Sequence, residues 1–113
     1  MSDISGKVSL RIMSLDRLLQ FNITNKPFIL FGYTPFCGTC KLAEKMLDIT
    51  AASMQVEVIK VDLNYYEELC TTYEIQSVPV MLFVVDKEVK QISYRFESVT
   101  TLYENINLLL TNA

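Results

Sequence analysis

Apolar positions along the chain fall into two kinds of run. Phe28 to Tyr33 (FILFGY) and Val80 to Val85 (VMLFVV) are unbroken. Continuous runs of this length suit central strands covered on both faces. Elsewhere apolar residues alternate or recur at helical spacing. Val8, Leu10 and Ile12 alternate with polar neighbours and predict a first strand. Ser14 then caps a short helix whose Leu15, Leu18 and Leu19 share one face. The polar NITNKP segment interrupts the pattern before β structure resumes at Phe28.

After Tyr33 comes TPFCGTC, with Pro35 and Gly38 as turn or helix-start residues. The segment from Lys41 to Ser53 places Leu42, Met46 and Ile49 at i, i+4 and i+7, with Ala43 and Leu47 beside them and charges opposite, which predicts an amphipathic helix. Val56 to Leu63 is rich in β-branched residues and predicts a strand, and YYEELCTTYEI a short helix. Asp86 turns the chain out of the Val80–Val85 strand. A last strand alternates through Val89, Ile92, Tyr94 and Phe96, with a slip in the period before Ile92. Ser98 caps a final helix with Leu102, Ile106, Leu109 and Leu110 on one side. The order β α β α β α β β α implies parallel pairing through crossover helices early in the chain and a hairpin at its end.

A length of 113 residues suits one domain spanning 1–113. Half of the residues are hydrophobic and 20% are charged, which is enough for a buried core. The net charge of −3 comes with no basic stripe, so nucleic acid is not an expected partner. No apolar run approaches the roughly 18 residues of a membrane span, and the N-terminal residues lack a signal-peptide pattern. A cytoplasmic protein, acting away from membranes as a monomer, is expected. In that compartment a close cysteine pair is more often catalytic or metal-binding than a passive staple.

The pair is Cys37 and Cys40. Zinc needs four Cys or His ligands, and the chain has three cysteines and no histidine. Only a cluster shared by two chains would satisfy a metal, so neither metal nor cofactor is expected. Cys70 reads as a small packing residue or, if exposed, a dimerising thiol. The pair lies where a strand gives way to a helix. Cys37 at the helix N-terminus is placed for thiolate chemistry, with Cys40 one turn along and more sheltered. Gly38 between them lets a partner backbone come close.

FCGTCK after FILFGY, VEVIKVDLN, and SVPV at the mouth of a strand together resemble the thioredoxin family, from Val8 to about Leu110. The resemblance implies a three-layer α/β/α thioredoxin fold with a mixed sheet of four to five strands. It implies a thiol–disulfide oxidoreductase acting on protein disulfides, with Cys37 attacking and Cys40 resolving. Phe36, Gly38, Thr39, Val78 and Pro79 would meet the substrate. The Val78–Pro79 bond would be cis, a state found in only about 5–6% of X–Pro bonds. Electrons would come from a thioredoxin-reductase-like flavoprotein or a low-molecular-weight thiol.

Several residues depart from the family pattern. Phe36 and Thr39 stand where tryptophan and proline are common, and the Thr39 hydroxyl and N–H would favour a Cys37 thiolate and a less reducing potential. Phe31 replaces a buried aspartate associated with the resolving cysteine's proton. Lys60, matching that aspartate's lysine partner, is expected to extend its ammonium into water. Arg95 and Phe96 occupy the neighbourhood of a late glycine and give a bulkier rim. Phe31 and the altered rim support an alternative: a thioredoxin-fold binding or redox-sensing module with weak or no turnover.

Overall fold

The computed structural model describes residues 26–86 and 88–111. The strand expected over Val8 to Ile12 and the helix expected from Leu15 lie outside the described residues. Within them the order is β1 (Phe28–Tyr33), α1 (Gly38–Met54), β2 (Glu57–Asp62), α2 (Glu67–Thr72), β3 (Val80–Val85), β4 (Glu88–Ser93) and α3 (Val99–Thr111), with a single 3-10 turn at Leu63–Tyr65 before α2.

The strands form one mixed sheet in the order β2-β1-β3-β4. β1 and β2 are parallel and α1 is their crossover, while β3 runs antiparallel to β1 and hairpins into β4. The unbroken apolar runs are the two central strands, as a sheet covered on both sides requires. Phe28 and Leu30 of β1 join Val61, Leu69, Leu82 and Val84 in one core layer. Ile29 and Phe31 point the other way, to Ala43 and Leu47 of α1 and Leu102 and Ile106 of α3. The molecule is therefore a three-layer α/β/α sandwich, with α2 on one face and α1 and α3 on the other.

The slip in the last strand's alternation is a β-bulge. Phe83 pairs with Gln91, but Val84 pairs with Val89, so Lys90 is the extra residue. The bulge keeps both Val89 and Ile92 against the same core layer. Gly32 is required by close packing: a Cβ there would meet Val80 Cγ1 at 2.8 Å and Leu63 Cδ1 at 3.0 Å.

Helix α1 presents a different face from the one its apolar stripe predicts. Cys40, Ala43, Leu47, Thr50 and Ala51 are buried, Met46 is half-buried, and Leu42 and Ile49 are 62% and 54% exposed. The bridge from Cys40 to the N-cap residue Cys37 is one end of this inward line. Small residues then let the helix sit close to the sheet. The one buried polar side chain on this line, Thr50, donates its hydroxyl to the Met46 carbonyl at 2.8 Å.

Candidate active site

The site is assembled where β1 ends. Tyr33 is the last strand residue, and Thr34 to Cys37 form a tight turn closed by the Cys37 N–H donating to the Thr34 carbonyl at 3.3 Å. Pro35 sits at the turn position where its fixed φ is favoured. Phe36 follows it and is fully exposed. Cys37 is extended (φ −102°, ψ 105°) and is the N-cap of α1. An N-cap side chain normally offers an oxygen to the unpaired N–H groups of the first turn. Here a sulfur takes that place: the Cys40 N–H donates to Cys37 Sγ at 3.1 Å.

Cys37 and Cys40 are joined in a disulfide with Cα atoms 5.2 Å apart. Their surroundings differ. Cys37 is half-buried at the helix mouth, and Cys40 is 3% exposed. The Thr39 oxygen lies 3.4 Å from Cys37 Sγ, and because a disulfide sulfur carries no proton, the hydroxyl is the donor. Two donors and the positive end of a helix thus converge on one sulfur. When the bridge opens, negative charge on Cys37 Sγ is stabilised by all three. Thr39→Val removes the hydroxyl and little else. Its expected result is a potential about 10–20 mV more negative, read from the equilibrium with glutathione, because an exposed charge-assisted hydrogen bond is worth a fraction of its buried value. An unchanged potential would rule out the hydroxyl as a thiolate donor.

Pro79 reaches the site from the loop before β3, and the Val78–Pro79 bond is cis. The Gln76 N–H donates to the Tyr94 hydroxyl at 3.1 Å, which ties this loop to the end of β4. Val78 turns its half-buried side chain into the core layer around Leu30, leaving its backbone as what it can offer outward. Thr39 and Pro79 share an open groove of about 280 Å³ with Leu42, Met46, Tyr94 and Phe96. Phe36, Gly38 and Val78 do not line it. A Cβ on Gly38 would meet open space, so nothing inside the protein demands glycine there. Leu42, Met46 and Tyr94 were not legible as site residues, since their spacing reads equally as core. The bulky Arg95–Phe96 rim was the available signal.

Two further positions bear on the chemistry. Phe31 is fully buried, edge-on to Phe96 (5.7 Å, 84°) and stacked with Tyr33 (6.2 Å, 18°). Lys60 does not extend freely into water, contrary to expectation. Its ammonium donates to Glu44 Oε2 at 2.8 Å and to Asp48 Oδ2 at 2.9 Å, both on α1. Those hydrogen bonds, that to Glu44 foremost, hold its pKa above the ordinary lysine value. Tyr33 nearby is pushed up by burial and then by Asp62 and Glu44. Cys70 packs half-buried against the α2 core layer, and burial, with Glu67, raises its thiol pKa. Among the described residues no three Cys, Asp or Glu side chains cluster so as to hold a metal ion.

The chain is similar to known proteins. The chain is 37% identical to the Thioredoxin-like protein YusE of Bacillus subtilis over 86 residues, covering 75% of this chain and 81% of that one. It is 29% identical to the Thioredoxin of the same organism, covering 66% and 74%. Among solved structures, a mutant thioredoxin from Halobacterium salinarum superposes with a TM-score of 0.71 at 21% identity, covering 80% of each chain. The Thioredoxin family model matches residues 14–107. A mixed sheet between helix layers, a CxxC pair capping α1 and this match over most of the chain lead to one conclusion: the protein belongs to the thioredoxin family of thiol–disulfide oxidoreductases.

Proposed function

We propose that the protein exchanges its Cys37–Cys40 dithiol and disulfide with disulfides of other proteins, in the cytoplasm. Cys37 attacks a substrate disulfide, a mixed disulfide forms, and Cys40 resolves it, leaving the substrate as dithiol. The supporting observation is the asymmetry of the pair: one reachable sulfur with donors aimed at it, and one sulfur 3% exposed behind it. Thiol–disulfide exchange needs a thiolate attacker and a second thiol protected from side reactions. Phe36, fully exposed beside Cys37, offers an apolar ring to a docking protein, and the groove beside Pro79 offers it a shallow seat. A reductase-type flavoprotein or a small thiol returns the electrons.

Reduction of insulin disulfides by the wild-type protein with a small dithiol as donor tests this reading. Accelerated precipitation of the insulin B chain is expected. No acceleration over donor alone would overturn it. Phe31 favours one second reading, a binding or redox-sensing module that turns over slowly, because the core beneath α1 holds a phenyl ring where the family has an acid. Undiminished partner binding by a Cys37→Ser, Cys40→Ser double variant, with no insulin reduction by the wild type, selects that reading.

A further inference from the structure

Cys40 has to lose a proton before it can resolve a mixed disulfide, because the thiolate is the nucleophile. Burial works against this, since a sulfur removed from water disfavours its charged form. Among the described residues, the core under α1 supplies no base. Its members are apolar, and among the described residues Thr50 is the sole fully buried polar side chain. Among the described residues, the place left for a base is the margin of α1.

Glu44 is the first acidic residue of α1 and follows Cys40 by four positions. Residues at this spacing are neighbours on a helix surface, with Cβ atoms about 5–6 Å apart. Glu44 is half-buried, and its carboxylate is held at 2.8 Å by Lys60, which crosses from β2 beside Phe31. Asp48 shares the same ammonium but stands eight positions from Cys40, about 12 Å along the helix axis. Lys60 from β2 bridges Glu44 to Asp48 of the same helix, Lys41 precedes Glu44 by three positions on that helix, and Tyr33 of β1 feels the charges of Glu44 and Asp62. Helix α3, also packed on α1, carries Tyr103 and Glu104, both exposed.

We propose that Glu44, positioned by Lys60, is the base that receives the Cys40 proton during resolution. This rests on the assignment of Cys37 as attacker and Cys40 as resolver. As Cys40 Sγ bonds to Cys37 Sγ, its proton passes to the Glu44 carboxylate. The bond between Cys37 Sγ and the substrate sulfur breaks, and the electron pair leaves on the substrate as a thiolate. That thiolate takes a proton from water, and Glu44 returns its own to solvent. Two electrons move from the dithiol to the substrate, and charge is conserved. Lys60 is a positioning residue, holding the carboxylate through its hydrogen bond to Oε2.

The test uses an aromatic disulfide, dithiobis(nitrobenzoate), and the reduced full-length protein in a Cys70→Ala background, so that only the pair reacts. The first release of thionitrobenzoate reports attack by Cys37 and the second reports resolution by Cys40. In the parent protein the second release is expected to change little between about pH 6 and 8. In Glu44→Gln it should fall about a hundredfold at the acidic end, the lower range for a lost general base. It should then rise about tenfold per pH unit as the thiolate fraction of Cys40 grows. Glu44→Asp should recover the flat profile in part. A Glu44→Gln second release with the parent rate and profile overturns the proposal. A steep parent profile also overturns it. A first release that survives Cys37→Ser overturns the assignment of the attacker instead, which keeps the two failures apart.

Discussion

Cys40→Ser is expected to arrest the reaction halfway, with substrate protein held on Cys37 as a mixed disulfide, whereas Cys37→Ser is expected to form no such adduct. The difference follows from the two environments. Cys37 Sγ sits at the mouth of α1 with the Cys40 N–H and the Thr39 hydroxyl directed at it, and these remain when residue 40 becomes serine. Cys40 is enclosed and cannot meet a folded substrate. A serine hydroxyl cannot attack sulfur, so the intermediate loses its intramolecular exit and survives until a thiol from solution reaches it. Turnover of insulin should fall at least about 10³-fold in Cys37→Ser, since no second nucleophile is available at the helix mouth. Non-reducing gels and intact mass after mixing with an oxidised substrate protein give the readout. Adducts through Cys40 in Cys37→Ser would reverse the roles.

Phe31→Asp is expected to destabilise the fold by at least about 3–5 kcal/mol, a large part of a small domain's total stability. Phe31 is fully buried between Phe96 and Tyr33 and belongs to the core layer under α1 and α3. The substitution removes the ring and places a carboxyl in an apolar layer, beside a Lys60 whose ammonium is already engaged by Glu44 and Asp48. Its pKa in the folded state would therefore rise above the unfolded value. Such a group contributes stability below its unfolded pKa and loses it as pH rises through the folded pKa. The deficit should thus be smaller near pH 4 than at pH 7, which runs opposite to the usual acid sensitivity of proteins. Urea unfolding at the two pH values measures this, with Phe31→Leu as the apolar comparison, expected to cost about 1.5 kcal/mol or less. A Phe31→Asp midpoint matching the parent at pH 7 would show that the site is wet or holds a counter-charge.

The architecture was legible wherever burial was total. Phe28–Tyr33 and Val80–Val85 read as strands to the residue because both faces are covered and every position is apolar or glycine. Even the bulge at Lys90 left its trace as a broken alternation. The Cys37–Cys40 pair and its asymmetry could be read from a strand on one side and a helix on the other. What failed were features that depend on which neighbour a surface meets. Leu42 and Ile49 look like core on a helical wheel, but spacing does not say which of two adjacent stripes faces the sheet, and the one that does begins with Cys40. Lys60 finds Glu44 and Asp48 across the β1–α1–β2 crossover, a meeting no local pattern encodes. The groove escaped for the same reason: α1, the Pro79 loop and the end of β4 each contribute one or two residues with unremarkable spacing.

Gly38 makes no close contact through the position where a side chain would begin, and Thr39 is exposed. The two residues between the sulfurs are therefore nearly uncoupled from the stability of the rest. Variation there changes what the sulfurs feel and what can approach them, without a folding penalty to screen out most alternatives. A lineage carrying this scaffold can drift or be selected at 38 and 39 through many dipeptides, retuning potential and partner choice while the core stays as it is. Gly32, five residues from Cys37, is the opposite case: hemmed in by Val80 and Leu63, it ties the strand end to one residue type. Rigid and permissive positions lie side by side, so the adaptable part of the molecule is confined to its reactive tip.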